Sequence, residues 1–149
     1  MICICTIEGE IIKVNPAGSK ILGYTADEIL KLGWAKLVHP DDVEKTNKQV
    51  EEQLKGSLVI NFVNRFRCKD GAYKILEWQA TPPTDNIVYA TARDITERMQ
   101  AEKKLKSQAN ELKSRTESLE KTNKAFVGRE LRMAELKKEI EELKKRHKT

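Results

Sequence analysis

The chain has 149 residues, 34% of them charged and 5% aromatic, with a formal net charge of +5 at pH 7. That length holds one domain of ordinary size, and the placing of proline and glycine predicts that only about two-thirds of the chain is such a domain. Neither a signal-peptide pattern nor a run of about 18 apolar residues is present, which predicts a soluble chain.

The charge sits unevenly. Residues 1–98 carry 13 basic and 14 acidic side chains, whereas residues 99–149 carry 15 basic and 9 acidic. The tail lysines alternate with Glu102, Glu111, Glu117, Glu120, Glu130, Glu135, Glu139, Glu141 and Glu142 and form no block, so they predict a solvated helix face and no nucleic-acid partner. In a basic-zipper DNA binder, Glu102 and Glu111 would interrupt the expected basic block. Three cysteines (Cys3, Cys5, Cys68) make an odd count without paired spacing, which fits a reducing cytoplasm and no disulfide framework. Cys3 and Cys5 share one face of a strand and are expected to be small core thiols, not metal ligands.

In chain order, Ile2–Ile7 and Ile11–Val14 flank the turn Glu8-Gly9-Glu10 and predict a hairpin. The first strand starts at Met1, as if the chain were an excerpt of something longer. Asn15-Pro16 predicts a short helix to Leu22, with Asn15 as cap and Gly23 as stop. Thr25-Ala26-Asp27-Glu28 is a capping box for the next short helix, with Ile29 and Leu30 on its buried side. His39-Pro40-Asp41-Asp42 opens a longer helix to Leu54, stopped by Gly56. After Gly56 the apolar period changes to two. Ser57–Cys68, Ala72–Thr81 and Ile87–Ile95 predict three strands, joined by the turn Lys69-Asp70-Gly71 and the loop 82–86. The expected fold class is α+β: a five-stranded antiparallel sheet with short helices on one face, followed by a long C-terminal helix.

The segments EGEIIKVN, NPAG, LGYTADEI, HPDD, RCKDG, EWQATP and ARDITER, in this order, resemble the PAS domain, a sensory module of bacterial signalling proteins. The resemblance covers roughly residues 2–98. It implies a sensor domain over 1–96, a signalling helix over 97–149, and a cavity between sheet and helices. Strand alternation, aligned on the Lys69-Asp70-Gly71 turn and on Asp94, directs Phe62, Asn64, Phe66, Leu76, Trp78, Ala80, Val88, Ala90 and Ala92 inward, with Trp34 facing them from the helices.

Light-sensing LOV members of the family hold flavin with a reactive cysteine and inward amides. Here Trp34 stands at the cysteine position, and Phe66, Leu76 and Ala92 stand at the amide positions, so LOV-type flavin is not expected. Haem is not expected either, because the stretch 45–54 holds no histidine. His39 is expected as a helix-entry residue and His147 as a solvent-exposed one. The leading expectation is a packed core without cofactor, with a non-covalent flavin or a small apolar metabolite as the alternatives.

Past Arg98 only Gly128 interrupts a helical pattern. Leu105, Leu112, Leu119, Phe126, Met133 and Ile140 recur every seven positions, the period of a left-handed coiled coil. Such a seam requires a second helix, which predicts a parallel homodimer. Companion seam positions are Ala109, Thr116 and Asn123 in the first half, then Leu136 and Leu143, so the heptad phase shifts near Gly128. The resemblance makes Asp94, Ile95 and Thr96 the signal junction, with Thr96 expected to cap the new helix and Asp94 to meet its dipole.

No phosphoacceptor histidine helix, glycine-rich nucleotide lid, Ser-His-Asp set or metal cluster can be assembled, so no catalysis is expected. The helix ends in Lys144–Lys148 without a stop signal, which predicts that a parent protein continues there. The function expected is a cytoplasmic signal-input module of a bacterial two-component system. It would relay a ligand or partner signal to an effector such as a histidine kinase. The alternative is a ligand-free dimerisation spacer.

Overall fold

The computed structural model describes the backbone of residues 1–146 and the side chains of residues 1–143. His147 and the expectation of its exposure lie outside the described residues. Residues 1–101 form one compact unit, and a second begins at Glu102.

The chain opens with strands β1 (Ile2–Thr6) and β2 (Ile11–Val14), joined by a turn in which Gly9 adopts φ +91°. Helix α1 runs Pro16–Leu22 and stops at Gly23, whose left-handed φ of 77° lets its N–H reach Ser19 O at 2.8 Å. Asn15 does not cap this helix with its side chain. Its Oδ1 instead accepts from the Ile2 N–H at 2.9 Å and ties the helix start to β1.

Helix α2 (Ala26–Leu37) begins with the expected capping box, Thr25 Oγ1 accepting from Glu28 N–H at 3.2 Å and Glu28 Oε2 from Thr25 N–H at 2.9 Å. It is longer than its start predicts. The chain kinks at Gly33 (φ 69°, ψ 166°) and resumes as a final helical turn that carries Trp34 and Leu37 inward.

His39 opens a 3-10 turn at Pro40–Asp42, its Nδ1 accepting from Asp41 N–H at 3.1 Å, and helix α3 follows at Val43–Leu54. Strands β3 (Val59–Arg67), β4 (Tyr73–Ala80) and β5 (Ile87–Asp94) complete a five-stranded antiparallel sheet in the order β2-β1-β5-β4-β3. The first and last strands are thus central neighbours, with Cys3 opposite Ala90 and Cys5 opposite Val88.

Alternation buries one face of the sheet against the helices. Leu22, Ile29, Leu37, Val38, Phe66, Cys68, Leu76 and Ala92 form the core cluster. The free edge of β3 is partly covered by the turn segment: His39 N–H donates to Arg65 O at 2.8 Å, and Asp42 Oδ2 accepts from Arg65 N–H at 2.8 Å. The Arg65 guanidinium also grips Asp42, with Nη2 to Oδ1 at 2.8 Å. This guanidinium holds the buried Asp42 carboxyl well below the usual carboxylate range, overcoming the cost of burial. Toward the other end of β3 the ladder slips between Val59 and Phe62, where Asn61 takes a positive φ of 55°.

After β5 the chain turns into helix α4 (Thr96–Arg146), 51 residues long. From Glu102 to Leu143 every described side chain is exposed. Among the described residues no helix is long and apolar enough to cross a membrane.

Candidate functional site

A cavity of about 110 Å³ lies between the inner face of the sheet and the helices. From the sheet it is walled by Phe62, Asn64 and Phe66 of β3, Trp78 and Ala80 of β4, and Val88 and Ala90 of β5. Trp34 closes it from the last turn of α2, packed so near the β1–β2 turn that a Cβ on Gly9 would lie 3.1 Å from the indole Nε1. Leu76 and Ala92, also on the expected inward set, are buried but lie outside the wall. They belong to the core cluster with Leu22, Leu37 and Phe66.

Strand periodicity did not reach the other walls. Cys3 and Cys5 of β1 face the cavity, as do Val50, Gln53 and Leu54 of α3. The shared face of the two cysteines was the available signal. For α3 the signal is weak, because its two buried residues, Thr46 and Gln53, are both polar.

Asn64, the one clearly polar side chain expected inside, is fully engaged. Trp78 Nε1–H donates to Asn64 Oδ1 at 2.8 Å, Asn64 Nδ2 donates to Thr46 Oγ1 at 3.1 Å, and Thr46 Oγ1–H donates to Asp42 O at 2.6 Å. This chain of bonds crosses the cavity wall from β4 through β3 to α3. It leaves no buried indole or amide without a partner, which would otherwise cost about 1–3 kcal/mol each. Gln53 Nε2 is likewise held by Thr81 O at 2.7 Å. The wall contains no charged side chain, and the Phe66 and Trp78 rings pack with centroids 5.2 Å apart. An apolar surface with its polar groups already paired favours an apolar guest or none.

The two cavity thiols differ. A hydrogen bond to Cys5, together with burial, pushes the Cys3 thiol up, whereas the same bond pulls Cys5 down against its own burial.

The residues at the end of β5 are joined to the sheet. Asp94 Oδ1 accepts from the Thr96 N–H at 2.9 Å and from the Thr96 hydroxyl, and Lys74 Nζ lies 3.1 Å from Asp94 Oδ2. Burial raises the Asp94 carboxyl, but the Thr96 donors and Lys74 outweigh it and leave the group below its ordinary value. Thr96 differs from its expected role. Its Oγ1 accepts from the Ile75 N–H of β4 at 2.9 Å, so it ties the helix start to the sheet and not to the helix's own amides. Ile95 N–H adds a bond to Ile75 O at 2.9 Å.

This arrangement of sheet, helices and interior cavity has known relatives. A family model described as the PAS fold matches residues 11–88, more than half of the 149 residues, and the chain belongs to that family. White collar 2 protein of Neurospora crassa is 35% identical over 69 residues, covering 46% of this chain and 13% of that protein. Uncharacterized protein y4lL of Sinorhizobium fredii is 28% identical over 95 residues, covering 60% of this chain and 11% of that protein. The match thus spans little more than a tenth of either relative.

Among solved structures, a domain of the sensory box sensor histidine kinase/response regulator from Geobacter sulfurreducens superposes with a TM-score of 0.56 at 28% identity, over 62% of this chain and 81% of that one. Drosophila melanogaster Cycle PAS-B with bound ethylene glycol gives a TM-score of 0.56 at 21% identity, over 62% and 97%, a likeness of fold.

Proposed function

We propose that this chain is a non-catalytic signal-input module of a cytoplasmic signalling protein. In this reading residues 1–96 sense a small apolar or aromatic molecule, and residues 97–149 pass the change on. The observation that carries the reading is the cavity, free of charged side chains, walled by Trp34, Phe62, Phe66 and Trp78. At about 110 Å³ it is smaller than the cavity of about 150 Å³ that holds benzene in an engineered protein. That size favours a compact guest over a flavin or haem.

Relay would run through β5 and the Asp94-Ile95-Thr96 junction into α4. Two copies would pair as a parallel coiled coil along Leu105, Ala109, Leu112, Thr116, Leu119, Asn123, Phe126, Met133, Leu136, Ile140 and Leu143. Support comes from the exposure of the eight large apolar side chains in this set, each between 47% and 66%. The effector would be a domain such as a histidine kinase, as the name of the Geobacter protein indicates for that relative.

Both tryptophans of the chain line the cavity, so their emission reports on its occupancy. A panel of small aromatic and aliphatic compounds is expected to contain one that shifts that emission and raises Tm. A compound at 100 times its Kd adds about 2.7 kcal/mol, roughly 10 °C or more for a domain of this size. Silence across the panel would replace the sensor with a ligand-free dimerisation spacer.

A further inference from the structure

We propose that Cys3 and Cys5 make this cavity a dithiol site for a compact apolar compound with a thiophilic trivalent centre, the type case being an organoarsenical. The inference rests on the reading above that the cavity admits a ligand. Strand alternation places both thiols on the inner face of β1, opposite Ala90 and Val88, and all four residues stand in the cavity wall. Of the two, Cys5 is the one more readily deprotonated. Cys68 is separate: its Sγ lies 3.7 Å from Ile21 O, outside the wall.

The wall chooses among thiophilic partners. It offers no charged side chain to balance a charged complex, the Met1 ammonium beside it is already bonded to Ala92 O at 2.7 Å, and an unpaired charge in apolar surroundings is costly. A monovalent soft cation held by two thiolates would carry such a charge. A linear two-coordinate ion would also need its sulfurs on opposite sides, whereas these project side by side from one strand. Trivalent arsenic bearing one organic group is neutral when bound to two thiolates, and its bonds are bent. Its organic group would lie against the aromatic wall. In the step, two As–S bonds form and the bonds from arsenic to its oxide oxygen break. The two thiol protons leave with that oxygen as water, and arsenic stays trivalent.

Phenylarsine oxide is the probe, applied to the reduced full chain. The expected product is a single adduct by intact mass, a fall in titratable thiols from three to one, and peptide mapping to Cys3 and Cys5. Tryptophan emission should change at the same one-to-one ratio. Cys3→Ala and Cys5→Ala should each weaken binding roughly a hundredfold, the usual scale for losing one arm of a bivalent contact, while Cys68→Ala should bind like the parent. An adduct on Cys68, three thiols still titrating, or a Cys5→Ala protein that binds undiminished would overturn the proposal. Mapping on the unaltered chain keeps the test independent of whether a variant folds. Toluene, which has no thiol chemistry, separates the two claims. Arsenical capture without toluene binding supports the dithiol site and removes the apolar-ligand reading, and the opposite pattern overturns the dithiol site alone.

Discussion

Leu76 and Leu112 are the same residue in opposite situations: Leu76 is 0% exposed, Leu112 is 65% exposed. The unit of residues 1–101 buries Leu22, Leu37 and Leu76, pairs its buried polar groups and closes its own core. Helix α4 beyond Glu102 does none of this. Its described side chains all face solvent, and local bonds such as Thr116 Oγ1–H to Leu112 O at 2.9 Å add little to an isolated helix. The contrast teaches that one unit carries its stability inside itself, whereas the other displays an apolar stripe whose burial requires another surface.

The largest break in this contrast is expected from the stripe. If two copies pair there, Leu112→Asp with Leu119→Asp removes four buried leucines from the pair, worth about 2 kcal/mol each. Sedimentation should then give a single-chain mass while the fold of residues 1–101 persists. A variant that sediments like the parent would show that the stripe is not the contact.

The mirror experiment is Leu76→Ala. It should cost the globular unit about 3 kcal/mol, read by chemical denaturation, without changing sedimentation. Association lost together with stability would mean that the two regions are not energetically separate.

Asp42→Asn is expected to cost about 2 kcal/mol, because Arg65 loses its charged acceptor. The same pair sets an acid limit. Since the folded carboxyl lies below its unfolded value, its contribution is complete above about pH 4 and is lost as pH falls through the folded value. Stability of the parent should therefore drop on acidification more steeply than that of Asp42→Asn. Parallel pH curves would remove the ion pair from the account.

Thr96→Ala is the smallest of these effects, about 1 kcal/mol from the lost bond to the Ile75 N–H. It sharpens the comparison by testing whether the helix start is fastened to the sheet. An unaltered melting curve would show that it is not.

Much of the architecture was legible in the sequence because local rules govern it. The Thr25–Glu28 capping box, the Gly23 stop and the period-two runs of β3, β4 and β5 need only neighbours in sequence to declare themselves. The misread positions have distant partners. Asn15 bonds to Ile2 and Thr96 to Ile75, 13 and 21 residues away, and no spacing rule foresees either. The extension of α2 beyond Gly33 was hidden because glycine ordinarily ends a helix, whereas here it only bends one. In the cavity, the walls from β3, β4 and β5 follow from alternation. The α3 wall does not, because Thr46 and Gln53 are buried through hydrogen bonds and not through hydrophobicity.

The slip in β3 at Asn61 has a further consequence for solubility. Where His39 and Asp42 occupy the border of the sheet, no foreign strand can attach. The remaining stretch carries Leu58 and Ile60, 61% and 65% exposed, the composition that invites fibril-like stacking. The irregular backbone there breaks the even row of donors and acceptors that an incoming chain would need, so this apolar border is a poor template.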